Sequence, residues 1–246
     1  MVGYIHTVTV DRPLPTDAYF AHLPAVKALS EHPLTFTAPV TFLVGENGMG
    51  KSTLIEAIAV AFGLNPEGGS RNFRFTTHSS HSGLHQYLGI RKTAYPKDSF
   101  FLRAESFYNV ASHIDALDQQ PAMSPPIIEA YGGVSLHRQS HGESFLSLVQ
   151  NRLGGKGMYI WDEPEAALSP MRLMTLLCEM KRLVDGGSQL IIATHSPILM
   201  AFPEAEILEL SSEGIRSVTL EQTQHYQVTQ QFISDPQRML HYLLED

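Results

Sequence analysis

The sequence predicts an α/β domain with a mainly parallel sheet covered by helices on both faces, and three observations carry that reading. Short runs of apolar residues, Val40–Val44, Met158–Trp161 and Gln189–Thr194, read as strands buried on both sides, as parallel strands do. Longer helical patterns alternate with these runs, as crossover connections require. A length of 246 residues suffices for one sizeable core, so a single domain over 1–246 is expected.

In chain order, Tyr4–Val10 alternates and is rich in β-formers, which makes it a strand. Pro13, Pro15, Pro24 and Pro33 then punctuate a connection that holds a short helix. Val40–Val44 ends at a glycine, and Lys51–Phe62 is a helix that Gly63 is placed to stop. Residues 64–98 are polar and rich in Gly, Ser and His, and they receive no assignment. Phe100–Ala104 reads as a strand and Phe107–Leu117 as a helix, with Pro121, Pro125 and Pro126 marking an irregular link. A small helical lobe is thus expected over about residues 106–143. Glu143–Leu153 carries Phe145, Leu148, Val149 and Leu153 along one helical face; Met171–Val184 does the same with Leu173, Leu176, Leu177, Met180 and Val184. Ala205–Leu210 with Ile215–Leu220 suggests a terminal hairpin, and Pro236–Leu244 a last helix.

Charge and composition narrow the function. The net charge of -8 excludes a polybasic nucleic-acid binder as a whole, so DNA contact would need a local basic patch. Cys178 is the single cysteine, which excludes an intramolecular disulfide and fits a reducing compartment. Met1–Arg12 lacks the pattern of a secretory signal, and no run approaches the ~20 apolar residues that span a bilayer. The expectation is a soluble, cytoplasmic chain with no direct membrane insertion.

Two motifs carry chemistry. Gly45-Glu46-Asn47-Gly48-Met49-Gly50-Lys51-Ser52 is a complete Walker A sequence, set between an apolar strand and a helix. Its glycines let the backbone wrap a phosphate chain, and N–H groups at the helix start, through Thr53, face phosphate oxygens. Lys51 would reach the β- and γ-phosphates and Ser52 would ligate Mg²⁺. Met158–Trp161 then ends in Asp162-Glu163. Adjacent carboxylates after a buried strand are poor packing choices, because ionised groups are costly to desolvate unless paired or metal-bound. Asp162 would hold the Mg²⁺ shell, and Glu163 would polarise an attacking water.

With these motifs in order, the chain resembles the ABC-type ATPase superfamily, and more narrowly the soluble, non-transporter ATPases of the SMC and RecF-like branch. Gln139-Ser140-His141-Gly142-Glu143 resembles the signature motif, Asp162 through Pro170 runs through the D-loop position, and Ile191 to Ser196 ends a strand with a switch histidine, His195. The resemblance implies a P-loop NTPase of ABC type with antiparallel β elements, using ATP and Mg²⁺. It implies that Ser140 and the Gly142 backbone contact the γ-phosphate of ATP held by a second subunit, in an ATP-dependent homodimer. His195 would contact the γ-phosphate of its own site. The family leucine is Gln139 here, its first signature glycine is His141, and its D-loop aspartate is Ser169. Glu105 stands where the Q-loop glutamine is expected, with a structural carboxylate paired to Arg103 as the alternative.

Two further clusters stay open. His78, His81 and His85 have metal-ligand spacing, or belong to a solvated loop. Arg71, Arg74, Arg91, Lys92, Lys97 and Arg103 form a local basic stretch interleaved with Phe73, Phe75, Tyr87 and Tyr95. That stretch suits DNA backbone contact, a solvated face, or arginines that serve the nucleotide. The functional expectation is an ATPase whose closure acts on DNA or on a protein partner, in repair or defence; the alternatives are a membrane-transporter ATPase subunit and a slow ATP-gated switch.

Overall fold

The computed structural model describes residues 3–70, 82–104, 107–118 and 125–244. β1 (Ile5–Val10) leads through a short 3-10 turn to α1 (Pro24–Glu31), where Pro24 pre-sets the first helical φ. β2 (Leu34–Thr35) returns antiparallel onto β1. β3 (Val40–Val44), buried at every position, feeds α2 (Lys51–Phe62), which Gly63 ends in the left-handed conformation at φ 104°. β4 (Gly69–Ser70) is followed by β5 (Leu88–Lys92), antiparallel to β1, and by β6 (Asp98–Arg103). Then come α3 (Phe107–Asp118), α4 (His141–Asn151), β7 (Gly157–Asp162), α5 (Pro170–Asp185), β8 (Gln189–Ala193) and α6 (Pro197–Met200). β9 (Glu206–Ser211) and β10 (Gly214–Val218) form a hairpin, and α7 (Gln224–Ser234) and α8 (Pro236–Leu244) follow it.

Among the described residues the main sheet has seven strands, ordered β10-β9-β3-β8-β7-β6-β4. The pairs from β9 to β6 are parallel, and antiparallel β10 and β4 close the two edges. Period-2 alternation divides each central strand between two cores. Phe42, Phe100, Tyr159, Trp161 and Ile192 face α3, α4 and α5. Leu43, Phe101, Ile160 and Ile191 face α2, α1 and the small sheet β2-β1-β5. Both faces are therefore dry, which explains the continuous apolar runs.

Register decides where the chemistry gathers. Asp162 lies opposite both Arg103 and Ala193, and Ala193 lies opposite Leu43. One row across β6, β7, β8 and β3 thus ends at the carboxyl edge of the sheet, where open α/β sheets bind ligands.

Several expectations shift. The Ala205–Leu210 hairpin is present but β9 also joins β3 in parallel, and the expected last helix Pro236–Leu244 is preceded by α7, which was not expected. The unassigned stretch 64–98 holds β4 and β5, and β5 is only half-buried, which removed its strand signal. α4 starts at His141 rather than Glu143, because the Ser140 N–H and hydroxyl both donate to the Glu143 carboxylate, at 3.0 and 2.7 Å. In the expected lobe, α3 and two 3-10 turns pack Val110, Ile114, Tyr131 and Leu136 into the core that β7 faces, so this region shares the main core. No helix among the described residues is long and apolar enough to cross a membrane.

Candidate functional site

The phosphate loop follows from its glycines. Gly45, Gly48 and Gly50 have φ values of 142°, 84° and 95°, a region that L-residues avoid. Gly45 also lacks room for a side chain, since a Cβ there would stand 2.3 Å from the Leu210 carbonyl oxygen of β9. Ala25 N–H donates to the Met49 carbonyl, tying α1 to the loop. Lys51, buried at the start of α2, turns its ammonium back into the loop and donates to the carbonyls of Gly45 at 2.6 Å and Glu46 at 3.0 Å. Burial pushes the Lys51 pKa down, and the Glu163, Asp162 and Glu165 carboxylates pull it back up.

The carboxylate pair stands across from this loop. Ser52 Oγ donates to Asp162 Oδ1 at 3.2 Å, and Arg103 Nε lies 3.5 Å from Asp162 Oδ2. Arg103 also reaches Glu56 at 2.6 Å, so it joins two carboxylates beneath the site. A hydroxyl beside a carboxylate is a hard-oxygen pair, which suits Mg²⁺. Glu163 sits at φ 50°, left-handed for a non-glycine residue, with its N–H held by the Ala193 carbonyl at 2.9 Å. Such strain costs about 1–3 kcal/mol and concentrates where side-chain direction matters. Here it aims the Glu163 carboxylate at His195, whose Nε2 lies 3.6 Å from Oε1.

His195 is held from two sides. Its N–H donates to Glu165 Oε1 at 2.5 Å, and its Nδ1 lies 2.7 Å from Nε2 of His225 on α7. Burial, with Lys51 and His225 adding to it, lowers the His195 pKa to about 4, so the ring is neutral near pH 7. Burial raises the Glu165 pKa. A cavity of about 360 Å³ bordered by Ser52, Arg103, His141, Asp162 and Glu163 opens at this point. A cavity of about 540 Å³ lies by Pro39 and Ser188 at the opposite ends of β3 and β8, away from this chemistry.

The structure thus brings together Gly45 through Thr53, Asp162, Glu163 and His195. Ser140 and Gly142 form a separate point: Arg172 Nη1 donates to Ser140 Oγ at 3.0 Å and Nη2 to Glu143 at 2.9 Å. No hydrogen bond links them to the phosphate loop among the described residues. Gly142 is required where it stands, because a Cβ would meet Arg172 Nη1 at 2.6 Å and the Ala167 carbonyl at 2.8 Å. Arg172 and His225 carry no motif and become visible only in the fold.

The basic stretch is thinner than the sequence suggests. Arg103 is committed to Glu56 and Asp162, and Lys92 lies over the Phe62 ring at 4.4 Å, while Arg91 and Lys97 are exposed. Arg71, Arg74, Phe73, Phe75, Glu105, His78 and His81 lie outside the described residues. Among those described, no group of three or more His, Cys, Asp or Glu side chains could hold a metal ion.

Comparison with known proteins agrees with this geometry. Residues 22–110 match the sequence model of a family described as an AAA domain. Residues 136–201 match one described as an AAA domain, putative AbiEii toxin, Type IV TA system. The ribose import ATP-binding protein RbsA of Bacillus cereus is 24% identical over 173 residues, 65% of this chain and 35% of that protein. The brefeldin A resistance protein of Schizosaccharomyces pombe is 25% identical over 202 residues, 73% of this chain and 12% of that protein. The chain therefore spans about 35% and 12% of the length of these two relatives. In structure it resembles cbiO1 of Clostridium perfringens, part of the ABC transporter complex cbiONQ, with TM-score 0.52 and 16% identity over 98% of this chain and 99% of that one. It also resembles a putative metal-chelate type ABC transporter in an inward-facing conformation, with TM-score 0.51 and 12% identity over 92% of this chain and 88% of that one. These likenesses support an ATP-binding domain of the AAA/ABC ATPase superfamily, built on a mostly parallel α/β fold. They give no support to the narrower SMC and RecF-like placement.

Proposed function

We propose that this ABC-type domain hydrolyses ATP at the carboxyl edge of its sheet and works as a homodimer that ATP closes. The observation that carries the reading is the convergence of Lys51, Ser52, Asp162, Glu163 and His195, drawn from two strand ends and one helix start. Lys51 and the loop N–H groups would hold the β- and γ-phosphates. Ser52 and Asp162 would hold Mg²⁺, which when bound supplies charge neutralisation on the phosphate oxygens. Glu163 accepts the proton of the attacking water, and His195 Nε2–H donates to the γ-phosphate. Ser140 and the amino end of α4 would face the ATP of a second copy.

The coupled system is a separate matter. The names of the relatives favour an ATPase subunit of a membrane transport system over the DNA or repair role expected from the sequence. One observation favours a second reading, closure on a protein partner away from any transporter: the family match over residues 136–201 carries a toxin description.

Light scattering with ATP and Mg²⁺ tests the core of the proposal. Glu163→Gln should double in mass and persist as a dimer, while Lys51→Ala should stay monomeric. Unchanged mass in Glu163→Gln, with ATP shown to be bound, sinks the ATP-closed dimer.

A further inference from the structure

We infer that His225, from the carboxyl-terminal helix pair, is a positioning residue that fixes the tautomer of His195 and so aims a proton at the reacting phosphate. This rests on the proposed role of His195. The two rings meet at 2.7 Å, Nδ1 of His195 to Nε2 of His225, with centroids 4.7 Å apart and planes at 62°. A contact of that length holds one shared proton. Two arrangements exist. If His195 owned the proton on Nδ1, its Nε2 lone pair would face the Glu163 carboxylate, 3.6 Å away, acceptor against acceptor. If His225 donates from Nε2, the His195 proton sits on Nε2, where it faces Glu163 and can reach a γ-phosphate. The carboxylate selects the second arrangement, and that requires a donor at position 225.

Burial supports the single-proton picture, since both rings have lowered pKa values and are neutral near pH 7. The His195 Nε2 atom is buried and has no hydrogen-bond partner among the described residues, which leaves it able to donate to a substrate oxygen. His225 is itself firmly placed. Thr223, fully buried, donates to the Leu220 carbonyl at 2.7 Å and accepts from Tyr226 N–H, capping α7. α7 packs against α6, the helix that begins two residues after His195. His225 also borders a cavity of about 370 Å³ with Gly45 and Glu46 of the phosphate loop, so the carboxyl-terminal helices touch the nucleotide site at this ring.

Two measurements test the inference. In ¹⁵N-histidine-labelled protein, with His195 assigned through His195→Gln, long-range proton–nitrogen correlation at pH 7.5 should show Nε2 protonated and Nδ1 bare. A proton on Nδ1 overturns the inference. The second measurement is kinetic. An outer partner that orients a functional ring is worth about 10–100-fold in activity, so His225→Leu should lower kcat by that factor with KM for ATP within about twofold. His225→Gln, whose amide can donate in the same direction, should recover most of it. Equal losses in both variants, or a loss confined to KM, also overturn it. If the wild-type chain hydrolyses no ATP, the proposed function fails, while the tautomer is still decided by the spectrum.

Discussion

Gly45→Ala and Gly48→Ala make the same chemical change in one loop, and the structure separates their costs. Both glycines have positive φ, and an L-residue held there costs about 1–3 kcal/mol. At Gly48 that is the whole cost, because an added Cβ meets nothing within 4 Å. At Gly45 the Cβ would stand 2.3 Å from the Leu210 carbonyl oxygen. That oxygen cannot retreat easily: the residue before it, Glu209, is paired with Val44 in the β3–β9 ladder. Overpacking of this kind costs about another 1–3 kcal/mol. Gly45→Ala should therefore lose about 2–6 kcal/mol and Gly48→Ala about 1–3 kcal/mol, out of a total near 5–15 kcal/mol. Urea unfolding followed by tryptophan fluorescence reads both, since Trp161 is the single tryptophan and is fully buried in β7. Equal stability of the two variants would refute the close approach of the loop to β9.

Gly142→Ala should lower ATP turnover at least tenfold while leaving ATP binding by the single chain unchanged, because the Cβ displaces Arg172 and presses on the Ala167 carbonyl. Its effect on stability should be small, about 1–2 kcal/mol of crowding being offset by about 1 kcal/mol of helix preference for Ala; phosphate release equal to wild type refutes the reading. Acid should erode stability through the histidine pair. Burial and then Lys51 lower the His225 pKa, with His195 beside it, while Glu209 and Glu46 pull it back up. Between the unfolded value near 6.5 and the lower folded values, the unfolded chain binds more protons, so this contribution is complete above pH 6.5 and is lost as pH falls. Glu165, whose pKa is raised, acts with the opposite sign, but equally in a His225→Gln variant. The stability gap between wild type and His225→Gln should therefore shift against wild type from pH 7 to pH 5, as read by urea midpoints; a constant gap removes the histidine pair from the acid response.

The elements with two dry faces were legible in the sequence because burial on both sides leaves nothing but apolar residues. β3 and α2 match the expected bounds for that reason, and Gly63 marks its own helix end. The proposed phosphate and metal residues could be named from the sequence because that chemistry restricts which residue types can serve at Gly45, Lys51, Ser52 and Asp162. What stayed hidden depends on contacts between distant segments. α7 buries no residue and was missed entirely. His225 looks like any histidine in a polar helix until the fold sets it against His195. Arg103 was counted with a basic stretch because charge alone was visible; the parallel register of β6 with β7 is what turns it toward Asp162.

The groups expected to meet phosphate already have partners in this chain, and that bears on how nucleotide would act. Lys51 donates to two loop carbonyls, Ser52 to Asp162, and Ser140 to Glu143 while accepting from Arg172. Leaving a buried donor unpaired costs about 1–3 kcal/mol, whereas exchanging one partner for another costs little. On the proposed function, ATP binding is then an exchange of hydrogen bonds, and its net strength comes from charge-assisted bonds to phosphate replacing bonds to neutral carbonyls. The Ser140 point differs from the others. It sits on a half-exposed clamp of Arg172 and Glu143, and on the proposed function the phosphate that would compete for it belongs to a second chain. Closure would thus be favourable only when that phosphate carries enough charge to draw Ser140 out of its cap. On the same proposal ATP would meet that condition through its γ-phosphate and ADP would not, so hydrolysis led by Glu163 would return Ser140 to Glu143 and open the dimer.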